Sequence, residues 1–333
     1  MSVCTPTFNR RPFIPTMFEC FRNQTYPKSR IEWIIVDDGT DKIGDLISKS
    51  NIPQIQYFTL DTKLTLGAKR NYMHEKSKGS IIVYMDDDDY YPPERIEHAV
   101  DTLQKNPKAL CAGSSEMYLY FKHIQKMYQC GPYGPNHATA ATFAFRRELL
   151  NQTQYESEAA LAEEKAFLKN YTVPFVQLDP MKTILVFSHE HNTFDKRKLL
   201  EGGENKCFKE SKKRVEDFIP LPKQKKLFDF FMKDIDVLLN EYQPGNIDSK
   251  PDVIEQIKEL TKKREEEAKK QQAEMIVMTL PDGTQKTLNN SEVIELLKER
   301  DNQINMLMAK IKQLEGVIGN LQQIAMQSHP QLK

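Results

Sequence analysis

No apolar run in this 333-residue chain approaches the 18 or so residues that span a bilayer, and the opening stretch, MSVCTPTFNRRPF, has no long hydrophobic segment. The expectation is a soluble, cytoplasmic protein with no membrane span. Net charge is also missing. The 47 Lys and Arg residues balance 47 Asp and Glu, so no global field draws the chain to nucleic acid or to an anionic surface. Partners must then be recognised at local sites. Paired cysteines are lacking too: Cys4, Cys20, Cys111, Cys130 and Cys207 are odd in number, far apart and without a C-x-x-C, which argues against a disulfide framework and a cysteine-based zinc site.

What is present is a rhythm of short apolar runs. Ser2 to Thr5, Ile31 to Val36, Gln56 to Thr59 and Ile81 to Met85 are rich in Val and Ile and are separated by helical stretches, as in the buried strands of an α/β sheet. Pro12 to Asn23 and Gly67 to Lys78 are expected to be the covering helices. Aromatic-rich strands follow over Glu116 to Gln129, then a Gly/Pro loop, a strand at Thr142 to Arg146, a helix containing Glu163, Glu164 and Phe167, and a strand at Thr183 to Phe187.

Two of the strands run straight into carboxylates. Asp86 to Asp89 follow Ile81 to Met85, and Asp37-Asp38-Gly39 follow Ile34 to Val36. Acidic side chains are costly inside a sheet, so they belong at its carboxyl edge, where α/β folds bind ligands. Four clustered carboxylates call for a hard cation, Mn²⁺ or Mg²⁺, which in turn suits a diphosphate. A solvated acidic turn and an Asx-turn are the plainer readings of the two clusters. His189 and His191 flank Glu190 at a strand end, and alternation would send both imidazoles to one side as metal ligands.

In order and spacing, Thr5-Pro6-Thr7-Phe8-Asn9-Arg10, Val36-Asp37-Asp38-Gly39-Thr40, Gly67-Ala68-Lys69-Arg70-Asn71 and the Asp86 to Asp89 cluster resemble family 2 glycosyltransferases of the GT-A fold. The resemblance covers about residues 1 to 195, and its texture is nearest to the enzymes of large DNA viruses. It implies inverting transfer of a sugar from a nucleotide-sugar, a UDP-sugar, to a hydroxyl of a glycan or protein acceptor, with Mn²⁺ or Mg²⁺ as cofactor. It assigns Thr5, Pro6, Thr7, Asp37, Asp38, Arg70 and Asn71 to the donor. The outer acids of the family's D-x-D map to Asp86 and Asp88, and the extra acid at Asp87 leaves the register open by one residue. Asp86 and Asp87 are therefore given to the nucleotide-sugar, and Asp88 to the metal with His189 or His191. Glu163-Glu164 stands where the family more often has Glu-Asp ending in the general base, which implies Glu164 as the catalytic residue.

Beyond residue 200 the composition turns to Lys and Glu. The expected organisation is a GT-A domain over 1–200, a helical extension over 201–273, a β-hairpin over 274–289 around Pro281-Asp282-Gly283, and a coiled coil over 290–326. In that last segment Ile304, Leu307, Ile311, Leu314, Ile318 and Leu321 alternate spacings of 3 and 4. Isoleucine at a and leucine at d favour a parallel homodimer, and Met308 and Val317 widen the face enough to keep a trimer open. Two other functions fit parts of the pattern. A nucleotidyltransferase also pairs an α/β sheet with acidic metal sites, but TPTFNRRPF lacks the glycine-rich loop it would need. A silent scaffold working through its coil would have no use for the acidic clusters.

Overall fold

A computed structural model of the chain describes residues 1–159, 164–192, 195–273, 276–279, 283–288 and 290–328. Two compact units emerge, Met1–Ile257 and Lys258–Lys333.

The first unit begins with β1 (Ser2–Thr7), α1 (Ile14–Arg22), β2 (Glu32–Asp37), α2 (Gly44–Ser50), β3 (Ile55–Thr59), α3 (Leu66–Lys76) and β4 (Ile81–Tyr84). Residues of β1, β2 and β4 are buried on both faces, which is why these strands read as continuous apolar runs. All four strands are parallel, in the order β3-β2-β1-β4. Because β1 lies between β2 and β4, chain direction across the sheet reverses there, and a crevice opens at the carboxyl ends of these three strands.

Next come α4 (Arg95–Lys105), β5 (Cys111–Gly113), β6 (Met117–Phe121), β7 (Lys126–Cys130), β8 (Ala144–Arg146), α5 (Glu164–Phe167), β9 (Phe175–Gln177) and β10 (Leu185–Ser188). Strands β8, β5 and β9 extend the main sheet to seven, with β8 antiparallel to both of its neighbours. A second sheet, β10-β6-β7-β11, is completed by β11 (Phe208–Glu210), which follows α6 (Lys198–Glu201). The architecture is thus mixed α/β around a large, mostly parallel sheet. The first strands and the covering helices lie where the apolar periodicity places them. The α/β unit, however, does not stop near residue 200. Phe218, Ile219, Phe230, Phe231 and Ile235 are buried in the same core as β6 and β10, and Phe231 stacks on Phe187 at 4.5 Å. Here α7 (Lys225–Asp229) runs through a π-helical turn, Phe230–Asp234, into α8 (Ile235–Glu241). The charged composition of this region describes only its outer face.

The second unit takes in the later part of α9 (Pro251–Ala273), then β12 (Ile276–Thr279) and β13 (Gln285–Leu288), which pair antiparallel, and α10 (Asn290–Ser328). Along α10 the six a and d residues from Ile304 to Leu321 are each more than half exposed.

Candidate active site at the carboxyl edge of the sheet

Strand β4 ends at Tyr84, and the acidic residues that follow are held in place from both sides. The Asp86 N–H donates to the Tyr91 hydroxyl at 2.7 Å. Tyr90 forms a two-way backbone bridge with Leu185 of β10, at 3.1 and 2.9 Å. That bridge brings the turn after β4 against the residues that follow β10, so His189 meets the acidic cluster. Its Nε2 lies 3.5 Å from Asp88 Oδ2, and its ring packs on Phe13 at 4.8 Å.

Arg10 is the centre of charge in this crevice. Nearly buried, it places Nη2 3.2 Å from Asp88 and Nε 3.7 Å from Asp87, and Nη1 donates to the His191 carbonyl at 2.6 Å. Burial opposes ionisation of Asp88, but Arg10 and then His189 outweigh it and hold the carboxyl well below its usual range. Asp87 goes the other way: burial pushes it up to about 7 against the pull of Arg10. Burial also drives His189 down to about 3 despite Asp88, so its ring is neutral and able to offer a lone pair. Its Nδ1 has no hydrogen-bond partner among the described residues, nor has Asp87 Oδ2.

Asp86, Asp87 and Asp88, but not Asp89, line a cavity of about 140 Å³, together with Pro6, Thr7, Phe8, Arg10, Lys63, Lys69, Arg70 and Lys250. Cations and carboxylates thus face each other around a space suited to an anion that itself carries a cation. Arg70 is buried, stacked 4.3 Å over the Tyr84 ring, with Nη2 4.0 Å from Asp86. A guanidinium fixed this way presents its charge at little further entropic cost.

Thr5, Asp37, Asp38 and Asn71, also singled out from the sequence, do not line the cavity but hold the loops around it. The Thr5 hydroxyl donates to the Met85 carbonyl at 2.6 Å and accepts from Trp33 Nε1 at 2.9 Å, tying β1 to the end of β4. Asp37 accepts from the Gly39 and Ile43 amides at 2.9 and 3.0 Å and from the Tyr57 hydroxyl at 2.6 Å, so it shapes the turn after β2. Asp38 pairs with the buried Lys69 and accepts from the Leu64 amide at 2.7 Å. Asn71 grips the Tyr155 backbone in both directions, at 2.8 and 3.0 Å. The strand alternation expected to align His189 and His191 stops short, because β10 ends at Ser188. His191 is buried instead beside Gly245, and burial, reinforced by Arg10, lowers it to about 4. Glu164 opens α5, half-buried and outside this cavity, while Glu163 lies outside the described residues. Sequence reasoning passed over Arg10, Lys69 and Lys250. The first two stand inside quoted motifs, but nothing local marks the third.

Gly67, at the start of α3, lets the segment leading towards Glu164 approach. Its N–H donates to the Ala159 carbonyl at 2.8 Å, and an added Cβ would stand 2.1 Å from the Glu156 carbonyl oxygen. Gly67→Ala should therefore push this segment away, at a cost of about 1–3 kcal/mol in urea unfolding.

Among the described residues no three His, Cys, Asp or Glu side chains form a ready-made cage for a metal. Asp88 with the neutral His189 nevertheless fits a hard divalent ion of the kind that takes few protein ligands and completes its shell with phosphate and water. The orphaned Oδ2 of Asp87 points the same way, while His189 Nε2, the nitrogen nearest Asp88, also stands 2.8 Å from Asn192 Nδ2.

Residues 2–154 match the family model Glycosyl transferase family 2. That stretch contains β1 to β4, Arg10, Arg70 and the whole acidic turn. An uncharacterised glycosyltransferase of Haemophilus influenzae is 30% identical over 107 residues, which are 32% of this chain and 35% of that protein. The poly(ribitol-phosphate) β-N-acetylglucosaminyltransferase TarS of Staphylococcus aureus is 29% identical over 108 residues, 32% of this chain and 19% of that protein. The chain is thus matched to about a third or less of the length of these relatives. A crystal structure of S. aureus TarS residues 1–349 with UDP-GlcNAc aligns with a TM-score of 0.44 at 20% identity, covering 57% of this chain and 58% of that one. The family and sequence matches support a glycosyltransferase.

Proposed function

We propose that the chain transfers a sugar from a nucleotide-sugar, a UDP-sugar, to a hydroxyl of a glycan or protein acceptor with inversion. The observation that carries this reading is the meeting of Asp86, Asp87 and Asp88 with Arg10 and Arg70 at one cavity on the carboxyl edge of a parallel sheet. Pro6 and Thr7 form part of its wall, and Thr5, Asp37, Asp38 and Asn71 hold the loops that shape it. Asp86 and Asp87 face the donor, and Arg70 offers a fixed counter-charge to its diphosphate.

Asp88 and His189, with His191 as the alternative imidazole, would hold Mn²⁺ or Mg²⁺, which supplies Lewis-acid stabilisation of a departing diphosphate. Arg10 keeps Asp88 ionised and oriented. Glu164 takes the proton from the attacking acceptor hydroxyl as that oxygen bonds to the anomeric carbon and the bond to the diphosphate breaks. A panel of nucleotide-sugars, each with and without Mn²⁺, tests the donor reading. One sugar nucleotide should raise the melting temperature in a metal-dependent way, because it binds only the native state. If no member of the panel shifts it, the reading fails.

The exposed seam of α10 supports a parallel homodimer, with a trimer as the alternative. Six branched apolar side chains in heptad register, all turned to water, are a contiguous patch that a second copy would cover. A chain ending at Leu288 should scatter light as a monomer where the full chain scatters as an oligomer. An unchanged number of copies per particle would remove the seam from assembly.

A further inference from the structure

After α8 the chain turns back over the crevice as a strap. Its first tie is the Tyr242 hydroxyl, which donates to Asp41 at 2.8 Å. Asn9, itself at φ 52°, donates from Nδ2 to the Pro244 carbonyl at 2.9 Å, while its Oδ1 accepts from the Asp41 amide at 2.9 Å. Gly245 then passes so close that an added Cβ would stand 2.6 Å from the Asn9 carbonyl oxygen and 2.7 Å from His191 Nδ1. Farther on, Lys63 pairs with Asp252. Between these ties the strap carries Lys250 into the cavity that Asp86, Asp87 and Asp88 line.

Lys250 is 5% exposed. Among the described residues the cavity's other cations all have an ion pair: Arg10 with Asp88, Lys63 with Asp252, Lys69 with Asp38 and Arg70 with Asp86. Lys250 has none among them. Its backbone carbonyl accepts from the Val253 and Ile254 amides at 3.1 Å each, which fixes the residue at the head of α9. An ammonium withdrawn from water with no ion-pair partner is costly even with the carboxylates of Asp87 and Asp88 in the same cavity, and part of that cost is recovered when an anion binds beside it. An anion in this cavity would also face Arg10 and Arg70, a setting that suits a diphosphate and not a single carboxylate.

We infer that Lys250, delivered by the 242–253 strap, is a donor-binding residue that contacts the diphosphate of the nucleotide-sugar. This rests on the donor reading above. As the bond to the anomeric carbon breaks, the electron pair stays with the diphosphate oxygen, and the Lys250 ammonium offsets part of that growing charge without taking part in bond making.

The test is binding of UDP and of GDP, each with Mn²⁺, and of the matching nucleosides, to the full chain and its variants. Lys250→Met and Lys250→Gln should weaken the diphosphate that the natural chain binds by about 10- to 100-fold, the worth of one charge-assisted hydrogen bond. Nucleoside affinity should change less than about two-fold, since a nucleoside brings no phosphate charge for the ammonium to meet, and Lys250→Arg should recover most of the loss. Both neutral variants remove an unpaired buried charge, so the melting temperature without ligand should not fall. Unchanged diphosphate affinity overturns the inference, as does an equal loss for the nucleoside, which would mean that the strap only braces the wall. If the natural chain binds neither UDP nor GDP, it is the donor reading that has failed.

Discussion

Asp88→Asn should lower sugar transfer by about 10³-fold and abolish its dependence on Mn²⁺, while leaving the melting temperature of the unliganded chain within a few degrees. Asparagine keeps the size and one acceptor oxygen, but it loses the anion that faces both Arg10 and His189. Loss of transition-state charge stabilisation by several kcal/mol corresponds to about three powers of ten in rate. The fold is expected to tolerate the change because Asp87, 3.7 Å from Arg10, still opposes the buried guanidinium. Two readings of the same variant separate the causes. Transfer measured across a Mn²⁺ titration should become flat and low. Undiminished metal dependence would move the metal to Asp86 or Asp87, the neighbours that line the same cavity.

Glu164→Gln should leave donor affinity intact and reduce transfer by about 10² to 10⁴, the range spanned by general-base catalysis. Glutamine preserves length and much of the hydrogen bonding while removing basicity. The donor-side acids are already committed: Asp37 to its turn, Asp38 to Lys69, and Asp86 to Asp88 to the cavity. A base is needed on the acceptor side, and Glu164 begins α5, later in the chain than Glu156 and Ala159, which pack on α3 at Gly67. Glu163→Gln is the control. A loss confined to Glu163→Gln would shift the base by one residue. A loss in neither would place it on another element.

The parts of the site that the sequence discloses are those with a local signature. An apolar run that ends in carboxylates reads as a buried strand reaching a solvent edge, so β2 with Asp37 and Asp38, and β4 with Asp86 to Asp88, were legible as one crevice. Whether Asp37 turns the chain or meets a ligand was not, because both uses need the same residue at the same place; two of its hydrogen bonds come from the turn and a third from Tyr57 of β3. The pairing of Asp38 with Lys69 joins residues 31 positions apart, and no spacing rule foretells it. The histidines were misread in one respect for a similar reason. Alternation was extended past Ser188, where the chain has already left the sheet. The extent of the first unit was hidden because its last elements are charged on the outside and bury only a few aromatic residues, among them Phe230 and Phe231.

The strap bears on the order in which the molecule can be made. During synthesis the strands β1 to β4 and the acidic turn leave the ribosome well before residues 242–253, and domains tend to fold as their segments emerge. Until the strap follows, Asn9 lacks Pro244, Lys63 lacks Asp252, and the crevice stands without Lys250. A nascent chain halted between residues 200 and 240 would thus carry the carboxylates of the cavity but only part of its positive wall. The growing polypeptide gains its full set of cations only as the last turns of the first unit are released.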